Sequence, residues 1–319
     1  MSALTVVMYH YVRDLGRSRY PGIKGLAVDA FEAQLDYIVA TYRVCAARDV
    51  VAACRGERPL PPNACLLTFD DGFIDHFTNV FPRLVERGLT ASFYPAVATV
   101  EGDTVLDTHK VHFILAATAD HAKLARQVLD MVEDLRREHH LPPGPALYRR
   151  YAEPSRFDGP DVIFVKRALQ RGLPEAVRTA IARRLFEEYV GVDEAVFARE
   201  LYMDLTHLRC LVQHGMDVGG HGATHVWLDA LSPDDQRREI DRTVGCLARV
   251  YGAGPVDWVM CYPFGGYNAV TLELLGAARC ALGLTTRVGV ATDLSRPLEL
   301  PRLDTNDLPP LTMDSRRHG

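Results

Sequence analysis

The stretch CLLTFDDG, residues 65–72, sets an apolar, β-forming run against two carboxylates and a glycine. Five uncharged residues bounded by a turn signal read as a strand buried on both faces, the kind found in parallel sheets. Asp70 and Asp71 then stand at its carboxyl end, where α/β barrels and open sheets carry their sites. Side chains alternate along a strand, so neighbouring aspartates converge on one point only where the chain bends, and Gly72 permits a bend. Asp-Asp-Gly by itself is an ordinary turn sequence. The strand in front of it gives it a second meaning.

Outward from this point, short apolar runs alternate with amphipathic ones. Residues 4–9 read as a first strand, followed by the helix AFEAQLDYIVATY, for which Asp29 and Glu32 spell a capping box. After CLLTF come a helix over 77–87 closed by Gly88 and a strand-like ASFYPAVA at 91–98. This β-α-β-α-β order predicts a mainly parallel sheet. Over 101–203 the strand signals vanish, and HAKLARQVLDMVEDLRREHH and PEAVRTAIARRLFEEYVG carry apolar residues at helical spacing, the second opened by Pro174 and closed by Gly191. The expectation is an all-helical insertion, 101–203, in a discontinuous α/β domain made of 1–100 and 204–308, with 309–319 as a loose tail. The alternation resumes with LTHLRCLVQH closed by Gly215, a strand-like MDVGGHG, a helix from Ser232-Pro233 to Tyr251, the strand VDWVMCYP, a helix from Asn268, ALGLTT and a final PRL segment.

Composition narrows the function classes. The 319 residues are 48% hydrophobic and 24% charged, enough for one large core or two modest ones, with 36 basic against 41 acidic residues. No basic run exceeds a pair such as Arg183-Arg184, so a nucleic-acid partner is not expected. No stretch approaches the ~18–20 apolar residues of a spanning helix. The opening MSALTVVMYH has neither a basic n-region nor a small-residue cleavage site, which predicts a cytoplasmic location. Seven cysteines with no CxxC read as reduced, mostly buried thiols.

His221 and His225, in GGHGATH, again follow a strand-like segment, and imidazoles four apart can share one ion if the backbone turns between them. A capped turn with two exposed histidines is the plain alternative. Two imidazoles and one carboxylate leave coordination positions open, which suits a hydrolytic zinc-type site or a non-haem Fe(II) oxygenase triad. The second carboxylate favours hydrolysis, because it can act as general base. YPFGGYN, 262–268, also joins a strand to a helix; Tyr262, Phe264, Gly265 and Tyr267 are expected to line the site wall and meet a sugar. His10 and Arg302 both fall at strand ends, and His109, in LDTHKVHFIL, opens the insertion where it can reach over the site.

With these blocks in order, the sequence resembles the polysaccharide deacetylase family, carbohydrate esterase family four. The likeness rests on TFDDG at 68–72, the helix-Gly-x-Asp-Val-Gly-x-His-x-x-x-His block over 205–225, the YPFG turn at 262–265 and MYHYV at 8–12. It implies an α/β fold, a distorted (β/α)7 barrel, with a metal held by Asp71, His221 and His225 and Asp70 as catalytic base. It also implies hydrolysis of an N-acyl, usually N-acetyl, group on an amino sugar. The ion would be divalent, zinc first, with Co2+, Ni2+, Mn2+ or Fe2+ as the other candidates.

Two positions depart from the common pattern. Where many members carry an arginine before the Pro-aromatic-Gly turn, this chain has Met260, Cys261 and Tyr262; where many carry a Leu-x-His near the end, it has Leu303-Asp304-Thr305-Asn306. The base-orienting role falls to Arg302, expected within hydrogen-bond reach of Asp70 or Asp71, and the acid role to His10 or His109. The resulting expectation is a metal-dependent carbohydrate N-deacetylase acting on a small intracellular intermediate of glycan biosynthesis. An N-deformylase of a nucleotide- or lipid-linked sugar and a metal-containing, non-catalytic carbohydrate-binding protein are the alternatives. The helical insertion is expected to narrow the site, to form a homo-oligomer contact, or to be a structural annex.

Overall fold

The structure, a computed structural model, describes residues 3–155 and 158–309. Seven parallel strands form the barrel: β1 (Leu4–Tyr9), β2 (Ala64–Asp70), β3 (Ser92–Tyr94), β4 (Asp217–Val218), β5 (Trp258–Cys261), β6 (Cys280–Val288) and β7 (Leu300–Asp304). They pair in the order β4-β3-β2-β1-β7-β6-β5. The gap between the ends is bridged just past β4, where Gly220 N–H donates to Val259 O at 2.9 Å and Cys261 N–H to Gly220 O at 2.8 Å. The expected distorted (β/α)7 barrel is therefore what the chain forms, with each strand beside its sequence neighbour and β7 closing on β1.

Alternation along the strands sorts the side chains into two sets. Leu4, Val6, Leu66, Val259, Cys261, Leu284 and Leu300 share one buried cluster, whereas Val7, Tyr9, Cys65, Leu67, Phe69 and Met260 belong to the cluster under the outer helices. β2 is buried along its whole length. The parity that puts Leu66 inward also carries Asp70 to the inside at the carboxyl end, as that of Leu300 carries Arg302.

Two expected elements differ. The strand-like 91–98 is a strand only over Ser92–Tyr94, because the chain turns after Pro95 into the short helix Val97–Glu101. The first long helix spans Val28–Thr41 with Ala27 at its N-cap and no side-chain cap bond; Asp29 lies inside it, so the capping box with Glu32 is absent. The helix Pro233–Tyr251 begins as expected, with Ser232 accepting from Asp235 N–H.

Between Val97–Glu101 and β4 lie the helices Asp107–Ala117, His121–Leu135, Gly144–Tyr151, Pro160–Arg167, Glu175–Tyr189, Glu194–Leu201 and Leu205–Gln213. Phe113, Val128, Phe164, Leu185, Phe186 and Phe197 pack into a core of their own, and Tyr11 and Phe73 from the barrel's carboxyl rim join it. Truncating a ring such as Phe186 to alanine costs ~3–5 kcal/mol at sites of this kind. Most of the tail expected at 309–319 lies outside the described residues.

Candidate active site

Asp71 and Gly72 both adopt left-handed backbone, with φ of 71° and 72°. The bend therefore starts at Asp71 itself, and it turns a residue that strand alternation would send outward toward the same point as Asp70. Gly72 is required for a second reason: a Cβ there would stand 2.7 Å from Pro95 Cβ. His225 and Phe264 are also left-handed, with φ of 57° and 56°. Such conformations cost non-glycine residues about 1–3 kcal/mol and gather at functional sites.

The two carboxylates have separate environments. Asp70 is almost fully buried; Arg302 Nη1 donates to its Oδ1 at 2.9 Å, and Nη2 stands 2.8 Å from Oδ2. The Cys261 thiol donates to Oδ2 at 3.2 Å, and His10 Nε2 lies 3.9 Å from the same atom. Burial pushes the Asp70 pKa up, but the Arg302 guanidinium outweighs it and holds the carboxyl at about 2. Arg302 itself is anchored by donating from Nε to Thr285 O at 2.9 Å.

Asp71 faces imidazoles instead. Its Oδ1 is 3.3 Å from both His221 Nε2 and His225 Nε2, and those two nitrogens are 3.2 Å apart. Asp71 Oδ1 is buried without a hydrogen-bond partner among the described residues. His221 Nδ1 lies 2.8 Å from Cys261 O, to which it donates, so Nε2 presents a lone pair. Two imidazole nitrogens turned toward each other and toward an unpartnered carboxylate oxygen fit a cation, and the donor set suits zinc and the other divalent transition metals. Asp70, His221 and Cys261 also lie close enough to form a ligand cluster, but the Arg302 guanidinium on Asp70 opposes a cation there.

The structure thus brings Asp70, Asp71, His221, His225, Arg302, His10 and His109 together. His10 offers a side chain 42% exposed, whereas His109 is fully buried, with Nε2 3.1 Å from Asp71 Oδ2. Phe264 is at the site, edge-on to His225 with ring centres 4.6 Å apart. Gly265 packs against the Thr286 side chain, which leaves no room for a Cβ. Tyr262 is a correction: it is buried rather than exposed, because it follows inward-facing Cys261 and points under the helices, its hydroxyl donating to Leu298 O. Tyr267 stacks on it at 4.6 Å and donates to Glu299, so both hydroxyls are committed to groups other than Asp71, His221 and His225. The N–H groups of Tyr262 and Gly265 are likewise committed, to Leu284 O and Tyr262 O.

Three residues escaped the sequence reading. Trp227 lies flat on Phe264 at 4.8 Å, and Arg171, from the insertion, covers the Trp227 ring at 4.1 Å. Tyr202 bonds His109 Nδ1 at 2.6 Å. Trp227, two residues past His225, was within reach of the motif reading; Arg171 and Tyr202 carried no signal, since their partners lie far away in sequence.

The family model described as polysaccharide deacetylase matches residues 191–281, which include both site histidines. The resemblance found in the sequence is thereby borne out. No curated protein matches the sequence. Among solved structures, the chain is similar to the Streptococcus pyogenes deacetylase PplD in complex with acetate, with 16% identity, a TM-score of 0.58 and coverage of 95% of this chain and 92% of that one. It is also similar to a de-N-acetylase from Aggregatibacter actinomycetemcomitans, at 14% identity, a TM-score of 0.56 and coverage of 95% and 96%. IcaB from Ammonifex degensii gives 18% identity, a TM-score of 0.52 and coverage of 95% and 91%. At these identities the likeness concerns the fold.

Proposed function

We propose that the chain is a metal-dependent N-deacetylase of an amino sugar. The observation that carries this reading is the division between two adjacent carboxylates, one locked to an arginine and one facing two imidazoles. Asp71, His221 and His225 would hold the ion, and a divalent metal in that position supplies Lewis acidity toward an acyl group. Asp70, kept ionised by Arg302, takes the proton of the attacking water as the water oxygen bonds to the acyl carbon. The C–N bond then breaks, and the leaving nitrogen takes a proton from His10, whose partly exposed imidazole stands beside Asp70. The products are acetate and the free amine. The rigid Phe264–Trp227 pair forms a wall beside His225 against which a sugar ring can rest.

We further infer a small substrate, an intermediate of glycan assembly met in the cytoplasm. Support comes from the crowding of the site by the insertion, whose Arg171 reaches the Trp227 wall, and from seven unpaired cysteines, as in a reducing compartment. No helix among the described residues is long and apolar enough to cross a membrane. The experiment offers the purified, metal-loaded protein N-acetyl and N-formyl sugars, free, nucleotide-linked and lipid-linked, beside chitin oligomers, and measures released acetate or formate. Fastest turnover on a small N-acetyl sugar supports the reading. Faster turnover on long oligomers than on every small substrate refutes the substrate class, and release from none of them refutes the activity.

A further inference from the structure

Outside the strands that build the site, one group reaches into it from the helical insertion. His109 sits in the first turn of the helix Asp107–Ala117 and is fully buried. Its Nε2 lies 3.1 Å from Asp71 Oδ2, at ion-pair distance, and makes no hydrogen bond among the described residues. The polarity of its other side follows from the network. Leu106 N–H donates to the Tyr202 hydroxyl at 3.2 Å, and among the described residues the hydroxyl proton has one acceptor, His109 Nδ1 at 2.6 Å. Nδ1 is then an acceptor, and the ring proton sits on Nε2, facing Asp71.

We propose that His109 is a positioning residue for Asp71, an inference that rests on the metal site read above. It occupies Oδ2 and leaves Oδ1, the atom 3.3 Å from both His221 and His225, for the ion. A protonated Nε2 cannot itself ligate a metal, and His109 stands outside the tight cluster of Asp71, His221 and His225. The surrounding contacts hold the arrangement from both ends of the insertion. The His109 ring packs on Phe73 at 4.7 Å; Tyr202 bridges to Phe73 through the backbone; and Met203 N–H donates to Gly72 O at 2.8 Å. The left-handed Asp71-Gly72 bend is thus clamped by the insertion, which makes the insertion part of the metal site. Partners of metal-ligating groups fix ligand orientation, and losing one typically costs ~10–100-fold in metal affinity.

The test is zinc affinity, measured by chelator competition on the full chain, for wild type, His109→Ala, His109→Gln, Tyr202→Phe and His225→Ala, with circular dichroism as the check on folding. His109→Ala should bind zinc about 10–100-fold more weakly than wild type. Glutamine keeps an N–H where Nε2 stood, so His109→Gln should recover most of the loss, and Tyr202→Phe should fall between. A folded His109→Ala that binds as tightly as wild type, or a His109→Gln no better than alanine, would overturn the inference while leaving the metal site intact. If the alanine variant does not fold, the glutamine variant decides: affinity within tenfold of wild type supports the role, and complete loss overturns it. A wild type that takes up no zinc, or a His225→Ala that binds like wild type, refutes the metal-site reading and this inference with it.

Discussion

Arg302 meets Asp70 end-on inside the barrel, Nη1 to Oδ1 at 2.9 Å and Nη2 to Oδ2 at 2.8 Å, with both side chains almost fully buried. Strands β2 and β7 lie on opposite sides of β1, so this pair spans three strands of the barrel rim. Removing one partner of a buried pair leaves an uncompensated charge and costs about 3–5 kcal/mol. Arg302→Met should therefore lower the melting temperature markedly, and Asp70→Asn/Arg302→Met should restore part of the loss. Thermal unfolding of wild type and the two variants checks this; equal melting of wild type and Arg302→Met would contradict it.

The bend after β2 gives a second prediction. Gly72 and Gly56 both have φ of 72°, but a Cβ on Gly72 would meet Pro95 at 2.7 Å whereas Gly56 faces open space. Gly56→Ala should cost only the left-handed penalty, roughly 1–2 kcal/mol. Gly72→Ala should cost clearly more and disturb Asp71 as well. Denaturant melts of both variants measure the difference.

The wall beside His225 gives a third. Phe264 stacks on Trp227, which Arg171 covers on the insertion side. Contacts of this kind are worth about 0.5–1.5 kcal/mol each. Trp227→Ala should raise KM several-fold with a smaller change in kcat, since it removes binding rather than reacting groups. Steady-state kinetics on the small N-acetyl sugar found to turn over would show it, and an unchanged KM would remove the wall from the site.

Much of this architecture is legible in the sequence. CLLTFDDG announced a buried strand ending in carboxylates, and alternation along β2 explains why Asp70 faces inward with Leu66. Arg302 was legible by the same logic, although it falls in the middle of the last strand rather than at its end. The strand β4 was legible too, as the strand-like MDVGGHG, but its two-residue length was not, because its barrel contacts are completed by Gly220, which has no side chain to create a pattern. Tyr262 misled because an aromatic before Pro-Phe-Gly reads as a wall residue, while the strand's parity sends it under the helices. Tyr202 and Arg171 were invisible, since each matters through a partner more than fifty residues away.

In the proposed division of labour Asp71, His221 and His225 hold the ion while Asp70 only moves a proton. The most direct measurement is metal content by elemental analysis, beside amine release, for Asp70→Asn and His225→Ala. Asp70→Asn should keep its metal and lose roughly 10²–10⁴ in rate, the usual cost of a missing base, whereas His225→Ala should lose both. Equal metal loss in the two variants, or an Asp70→Asn that turns over like wild type, would contradict the account.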